Sequence, residues 1–153
     1  MADTTNADLF PVLSFYYEVS IDGNEIAFSE VSGLDIDTDP VEYRHGDSEL
    51  FHKIKGAGMM KYSNITCKKG VFEADTRLHD MFSQLYEGKS YYTDYTDRFD
   101  MTIILNDENG KDVTTWSATN CFPIKLSGTS LKSDGNAVAI ESIEFAIEQL
   151  RYV

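Results

Sequence analysis

The sequence predicts a single β-rich domain with one packed helix, and three observations carry that prediction. Apolar and polar residues alternate with a period of two in several separate stretches, the pattern of strands with one buried face. Only one stretch has the clear 3.6-residue period of an amphipathic helix. The 153 residues also hold no repeat, linker or low-complexity tract that would divide them. A chain of that length can bury roughly 70% of the surface its unfolded form exposes.

Residues 1–10 are polar and read as a flexible N-terminus, leaving 11–153 as the domain. Leu13, Phe15, Tyr17, Val19 and Ile21 alternate with Ser14, Tyr16, Glu18 and Ser20, which predicts a strand, and Asp22-Gly23 turns the chain. Residues 26–36 read as a second extended segment with a bulge or bend at Gly33. Pro40 confines the next segment, 41–45, to a sheet edge or a strand start, so the first forty-five residues predict a β-meander. Residues 46–61 have no clean period of either kind: Gly56 and Gly58 loosen the backbone while lysines alternate with Phe51, Ile54, Met59 and Met60. Structureless excursions of this length inside a compact domain are uncommon and usually functional, and exposed apolar residues on one call for a partner.

Strand character resumes at residues 64–68. The helix follows, with Asp75 or Thr76 as its cap, Leu78, Met81, Phe82, Leu85 and Tyr86 on its apolar face, and Gly88 as its stop. A loop containing Tyr91, Tyr92 and Tyr95 leads to a strand alternating Phe99, Met101, Ile103 and Leu105, which Asn109-Gly110 turns into a second strand through Trp116. Phe122, Ile124 and Leu126 make another, with Pro123 at an edge or bulge. Near the C-terminus Ile140, Ile143, Ile147 and Leu150 have helical spacing, yet Ile143, Phe145 and Ile147 alternate with Glu144, Ala146 and Glu148. The β-branched content and the Asp134-Gly135 turn favour strand.

Charge is partitioned along the chain. Residues 1–50 hold twelve acids and one base, Arg44, whereas residues 51–70 hold five lysines (Lys53, Lys55, Lys61, Lys68, Lys69) and no acid. Patches of opposite sign on copies of one chain attract each other head to tail. The net charge of −13 argues against sequence-independent binding to nucleic acid or an anionic membrane. No basic-then-apolar leader opens the chain and no apolar run nears the ~20 residues of a membrane span, so synthesis in the cytoplasm without a signal peptide is expected. Cys67 and Cys121 are too few and too far apart for a disulfide scaffold or zinc site, and are expected to be small buried hydrophobes.

Chemistry-bearing patterns fail their own tests. Asp35, Asp37 and Asp39 have calcium-loop spacing, but Pro40 stands at the turn-glycine position and Gly46 at that of the bidentate acid, so they read as a solvated acidic edge. His45, His52 and His79 have no partner at ligand spacing and read as surface histidines. No G-x-S-x-G elbow occurs, and Gly56-Ala57-Gly58 is too short to cradle phosphate. Neither a catalytic site, a metal nor a cofactor is expected.

One ordered set of residues is more specific. It runs from Phe28-Ser29-Glu30-Val31-Ser32-Gly33-Leu34 through Val41-Glu42-Tyr43-Arg44 with Gly46 to Asn64-Ile65-Thr66-Cys67-Lys68-Lys69-Gly70. Trp116, Asn120, Pro123, Lys125 and Gly128 follow, then Asn136-Ala137-Val138-Ala139-Ile140-Glu141-Ser142-Ile143-Glu144. In order and spacing this resembles the tail tube proteins of contractile phages and of phage-derived contractile injection systems, from about residue 15 to residue 150. It departs at Ala146-Ile147-Glu148, where that family often has alanine-histidine-glutamate, and at Cys67, where an aliphatic residue is more usual.

The resemblance implies a mainly β fold of two antiparallel sheets forming a small barrel or sandwich with one flanking helix. It implies hexameric rings stacked into a rigid hollow tube that sheath contraction drives outward. The implied partners are further copies of the chain, a sheath protein, baseplate or spike proteins, a tube-terminating cap, and cargo in the lumen, effector protein or phage DNA, held without tight binding. The family's excursion after the Glu-Tyr-Arg motif reaches adjacent subunits and rings. Here that excursion is residues 46–61, which places inter-subunit contacts at Glu42, Arg44, Lys53, Ile54, Lys55, Met59, Met60 and Lys61. Two alternatives stand beside it: the ring-forming tube protein of type VI secretion, and a monomeric β-barrel binding a ligand or glycan through its tyrosine loop.

Overall fold

A computed structural model describes residues 16–73, 75–83, 98–135 and 138–153. The elements in chain order are β1 (Tyr17–Ile21), β2 (Asn24–Ile26), β3 (Glu30–Ser32), β4 (Ile36–Tyr43), β5 (Ile54–Tyr62), β6 (Ile65–Gly70), α1 (Arg77–Ser83), β7 (Phe99–Asn106), β8 (Asp112–Ser127), β9 (Ile140–Ala146) and β10 (Gln149–Tyr152). Eight strands pair in the order β2-β1-β7-β8-β9-β6-β3, with β10 also on β8, and β4 and β5 pair separately.

The long strand β8 makes two sheets out of one path. Its first half lies between β7 and β10, and its second half pairs with β9. The change of partner falls at Asn120, whose φ of 53° is a left-handed conformation that asparagine tolerates. The side-chain amide of Asn120 donates to Glu148 Oε2 (2.8 Å), and its backbone N–H donates to Asp100 Oδ1 (3.2 Å). Val19, Met101, Ile103, Ala118 and Leu150 from one sheet and Ile65, Cys67, Ile143 and Phe145 from the other form a single buried core. Two antiparallel sheets and a helix are therefore present as expected. The path ends on β2 and β3, and among the described residues no ladder joins these ends, so the sheets form an open sandwich and not a closed barrel.

Several boundaries differ from the sequence reading: the segment read as extended over 26–36 is divided among the end of β2, β3 and the start of β4, and residues 41–43 of the segment read as 41–45 fall in β4, which begins at Ile36. The strand through Trp116 and the strand of Phe122, Ile124 and Leu126 are one, because the irregularity at Asn120 shifts the phase of burial from Ala118 to Cys121 and splits one alternation into two. The C-terminal strand is two, β9 and β10. Residues 54–61, the second half of the excursion read over 46–61, lie in the nine-residue strand β5.

Helix α1 buries Leu78. Asp75 Oδ1 accepts the backbone N–H of Arg77 (3.3 Å), and the Thr76 carbonyl accepts that of Asp80 (2.8 Å), so both candidate cap residues serve its first turn. Leu85, Tyr86 and Gly88 of the expected helix, the loop of Tyr91, Tyr92 and Tyr95, and residues 1–15 lie outside the described residues.

Lys69 sits on the buried face of β6 with Ile65 and Cys67, its side chain 1% exposed. Its ammonium is 3.0 Å from Asp75 Oδ2 and 3.0 Å from Glu141 Oε1, joining β6, the start of α1 and β9. Burial pulls the Lys69 pKa down, but the hydrogen bonds to Asp75 and Glu141 outweigh it and leave the pKa raised. Hydrogen bonds from Arg77 and then Lys69 hold the Asp75 carboxyl well below the usual carboxylate range. Cys67 and Cys121 are both buried, and burial is the main cause that pushes each thiol up to about 12.

Candidate subunit interface

The chain carries one feature that its own core does not explain, the β4–β5 hairpin. Ser32 pairs with Thr66 and Ile36 pairs with Tyr62, so the register carries through the gap between them without an inserted residue. β3–β6 and β4–β5 are thus two halves of one antiparallel ribbon, joined where the Ser63 N–H donates to the Asp35 carbonyl (3.4 Å). The inner half is part of the core sheet. At the junction Gly33 adopts φ +89°, and a Cβ there would collide with the backbone carbonyl of Asn64. The outer half leaves the body of the protein: all eight residues of β4 are exposed, and of β5 only Gly58 and Tyr62 are partly covered.

A bulge shapes this outer half. Thr38 pairs with Met60 and Pro40 with Ala57, so Gly58 and Met59 together oppose Asp39. A Cβ on Gly58 would collide with the Asp39 carbonyl, so glycine is required at the close approach. The Thr38 hydroxyl donates to the Gly58 and Met59 carbonyls (3.1 and 3.3 Å) and fills the gap in the ladder.

The structure brings the eight predicted contact residues to this one projection. Glu42 lies on β4, Ile54, Lys55, Met59, Met60 and Lys61 lie on β5, and Arg44 and Lys53 flank the connecting loop. Arg44 closes that loop by donating to the Leu50 and Ser48 carbonyls (3.2 and 3.4 Å). Met59 is 87% exposed and Phe51 fully so, far beyond what a settled β-hairpin of a monomer shows. Val41, Tyr43 and Leu50 add to the apolar surface and were missed by sequence reasoning. Val41 and Tyr43 do alternate with polar residues, but alternation alone does not separate a core face from one that a partner covers.

The lysines answer carboxylates within the same chain. Lys53 and Lys55 both reach Glu42 (3.4 and 3.7 Å), Lys61 pairs with Asp39, and Lys68 pairs with Glu30 (3.6 Å). The Asp39 hydrogen bond, then its charge, raises the pKa of Lys61. The opposite charges of the first fifty residues and of the basic segment therefore meet first across the ribbon, where cross-strand pairs favour its register. Such exposed pairs are screened by water and contribute little to stability, so they remain free to exchange partners with another molecule. Lys69 is the exception, being internal.

His45, His52 and His79 are exposed, as are Asp37 and Asp39 on β4. Among the described residues no group of three or more His, Cys, Asp or Glu side chains could hold a metal ion, and no helix is long and apolar enough to cross a membrane.

The family described as T4-like virus tail tube protein gp19 matches residues 13–151. The chain belongs to that tail tube family. Among solved structures, one from the sheath-tube complex of the PVC extracellular contractile injection system in its extended state is 28% identical, with a TM-score of 0.83 and coverage of 99% of both chains. Another, from the PVC sheath/tube terminator, is 30% identical with a TM-score of 0.82, covering 94% of this chain and 97% of that one. Hcp1 from Flavobacterium johnsoniae shares the fold alone, at 9% identity and a TM-score of 0.54, covering 90% of this chain and 94% of that one. No curated protein sequence matches the chain. The type VI alternative is thus the more distant of the two, and the chain is a tail tube protein with the structural role of that family.

Proposed function

We propose that the chain closes into rings of six that stack into the inner tube of a contractile injection particle, and that it has no catalytic activity. The observation that carries this reading is the projecting ribbon, exposed on both faces and bearing Val41, Tyr43, Phe51, Ile54, Met59 and Met60. A lone two-stranded ribbon is marginal in water, and one so apolar is stabilised only by a neighbour. Among the described residues β2, β3 and β10 each pair with a strand on one side only, and their outer edges offer backbone groups for lateral pairing between subunits. Identity of 28–30% to proteins of an extracellular injection system favours that type of particle, with sheath and terminator as partners. Baseplate contact and lumen cargo complete the reading. With a net charge of −13, a lumen wall bearing surplus acid lets acidic cargo slide without adhering.

The test is assembly. The purified chain forms tubes visible by negative-stain microscopy, while the double variant Ile54→Asp/Met59→Asp stays monomeric or as single rings with an unchanged melting temperature, since neither side chain is in the core. A wild-type chain that remains a monodisperse monomer at high concentration overturns the reading.

A further inference from the structure

The two sheets enclose an apolar pocket of about 140 Å³. Tyr17 of β1, Ile103 and Leu105 of β7 and Trp116 of β8 line it from one sheet, and Val31 of β3 with Leu34 line it from the other. Register explains the grouping. Tyr17 pairs with Leu105, and Ile103 pairs with the buried Val19 on one side and with Trp116 on the other, so all of these share the core-facing side of their sheet. Val31 pairs with the buried Cys67 and so faces inward from β3. β1 and β3 are not paired with each other, and no ladder draws Tyr17 and Val31 together. Val31 and Leu34 also stand on either side of Gly33, where the ribbon bends away from the core.

One polar group in this lining is unanswered. The Tyr17 hydroxyl already donates to the Phe28 carbonyl (2.8 Å). The indole nitrogen of Trp116 is buried and has no hydrogen-bond partner among the described residues. An indole N–H can only donate, and a buried donor left without an acceptor is destabilising. We propose that this pocket binds a small uncharged molecule of about one six-membered ring, whose single hydrogen-bond acceptor takes the indole N–H of Trp116. Three observations set that chemical class. The volume sets the size, since an apolar protein cavity of ~150 Å³ takes up a benzene ring. No charged side chain lines the pocket, which selects a neutral ligand. The unanswered donor selects an acceptor over a second donor. A molecule seated there touches Val31 and Leu34 together with Ile103, Leu105 and Trp116, and so braces the root of the ribbon against the opposite sheet. The site needs no second copy of the chain and stands apart from the tube reading.

The test uses tetrahydropyran, a six-membered ring whose ether oxygen accepts a hydrogen bond and cannot donate one. Trp116 is the only tryptophan of the chain, so its fluorescence reports on the pocket directly. Titration of the full-length chain gives a saturable change in tryptophan emission with half-saturation on the order of 1 mM, the affinity expected of so few atoms. The melting temperature rises over the same concentrations. Val31→Phe fills the space and abolishes both responses while circular dichroism stays that of the wild type; Leu34→Phe serves in its place if that variant does not fold. Trp116→Phe keeps the ring and removes the donor, and its thermal response shifts to about fivefold higher concentration, the worth of one neutral hydrogen bond. An absence of saturable change up to about 20 mM overturns the proposal. So does an unchanged response in Val31→Phe, which places the binding elsewhere, or an equal one in Trp116→Phe, which leaves the donor without a role. Binding to the Ile54→Asp/Met59→Asp chain but not to assembled wild type means that a neighbouring subunit fills the pocket, and overturns it as well.

Discussion

Gly33 shows how much one residue decides. Its φ of +89° and the carbonyl of Asn64 in the space where a side chain would stand make it the point where the ribbon leaves the core sheet. Gly33→Ala therefore costs roughly 1–3 kcal/mol of backbone strain and displacement. At about 2–4 °C per kcal/mol for a chain of this size, the thermal midpoint falls by several degrees. Differential scanning calorimetry checks this, and an unchanged midpoint would show that the ribbon can bend elsewhere. The glycine was legible in the sequence as a bend, because it interrupts an alternating segment. What it bends away from was not, since Asn64 is thirty-one residues distant and comes close only through strand pairing.

At the level of elements, the hairpin is a part added to the fold and not a member of its core. No residue between 37 and 61 belongs to the buried cluster, whereas Leu34 and Tyr62 at its root pack against that cluster. Replacing residues 37–61 by Asn-Gly therefore leaves a folded monomer with a midpoint within a few degrees of the wild type and no capacity to form tubes. Circular dichroism and sedimentation velocity measure both. A truncated chain that fails to fold would show the hairpin to be part of the folding unit. The same independence explains why β5 was hidden from the sequence. A strand advertises itself through one buried and one solvated face, and Ile54–Tyr62 has almost no buried face within its own chain. The run of lysines and methionines that erased the period is the part of the pattern that concerns a neighbour.

Across the whole molecule, Lys69 holds the parts together. Its ammonium ties β6, β9 and the segment entering α1, and with Asp75 and Glu141 it is nearly removed from water. Lys69→Met leaves two carboxylates without their shared cation and destabilises the fold by roughly 3 kcal/mol, the usual cost of breaking such a pair. The pH dependence follows from Asp75, whose pKa is depressed in the folded state by Arg77 and Lys69. A depressed carboxyl pKa contributes stability that is present above the unfolded value near ~4 and lost as pH falls toward the folded value. The raised Lys69 pKa contributes stability present below its unfolded value near ~10.4 and lost as pH rises through the folded one. Urea midpoints measured between about pH 2 and pH 7 therefore fall steeply below about pH 4 for the wild type and less steeply for Lys69→Met. Parallel profiles would remove this cluster as the source of acid lability.

The sequence by itself determined the fold class, the strands that have one face in the core, the start of the helix, the burial of both cysteines and, through an ordered set of motifs, the tail tube family. Each of these is written in local period or in the order of residues along the chain. Tertiary structure alone decided that β8 is one strand serving two sheets, that residues 54–62 are a strand of an outward ribbon, and that the basic segment faces the acids of β3 and β4 on that same ribbon, apart from Lys69 in the interior. Those facts depend on which distant segments pair and in what register. Charge and periodicity constrain that choice, but only the closing of the sheets makes it.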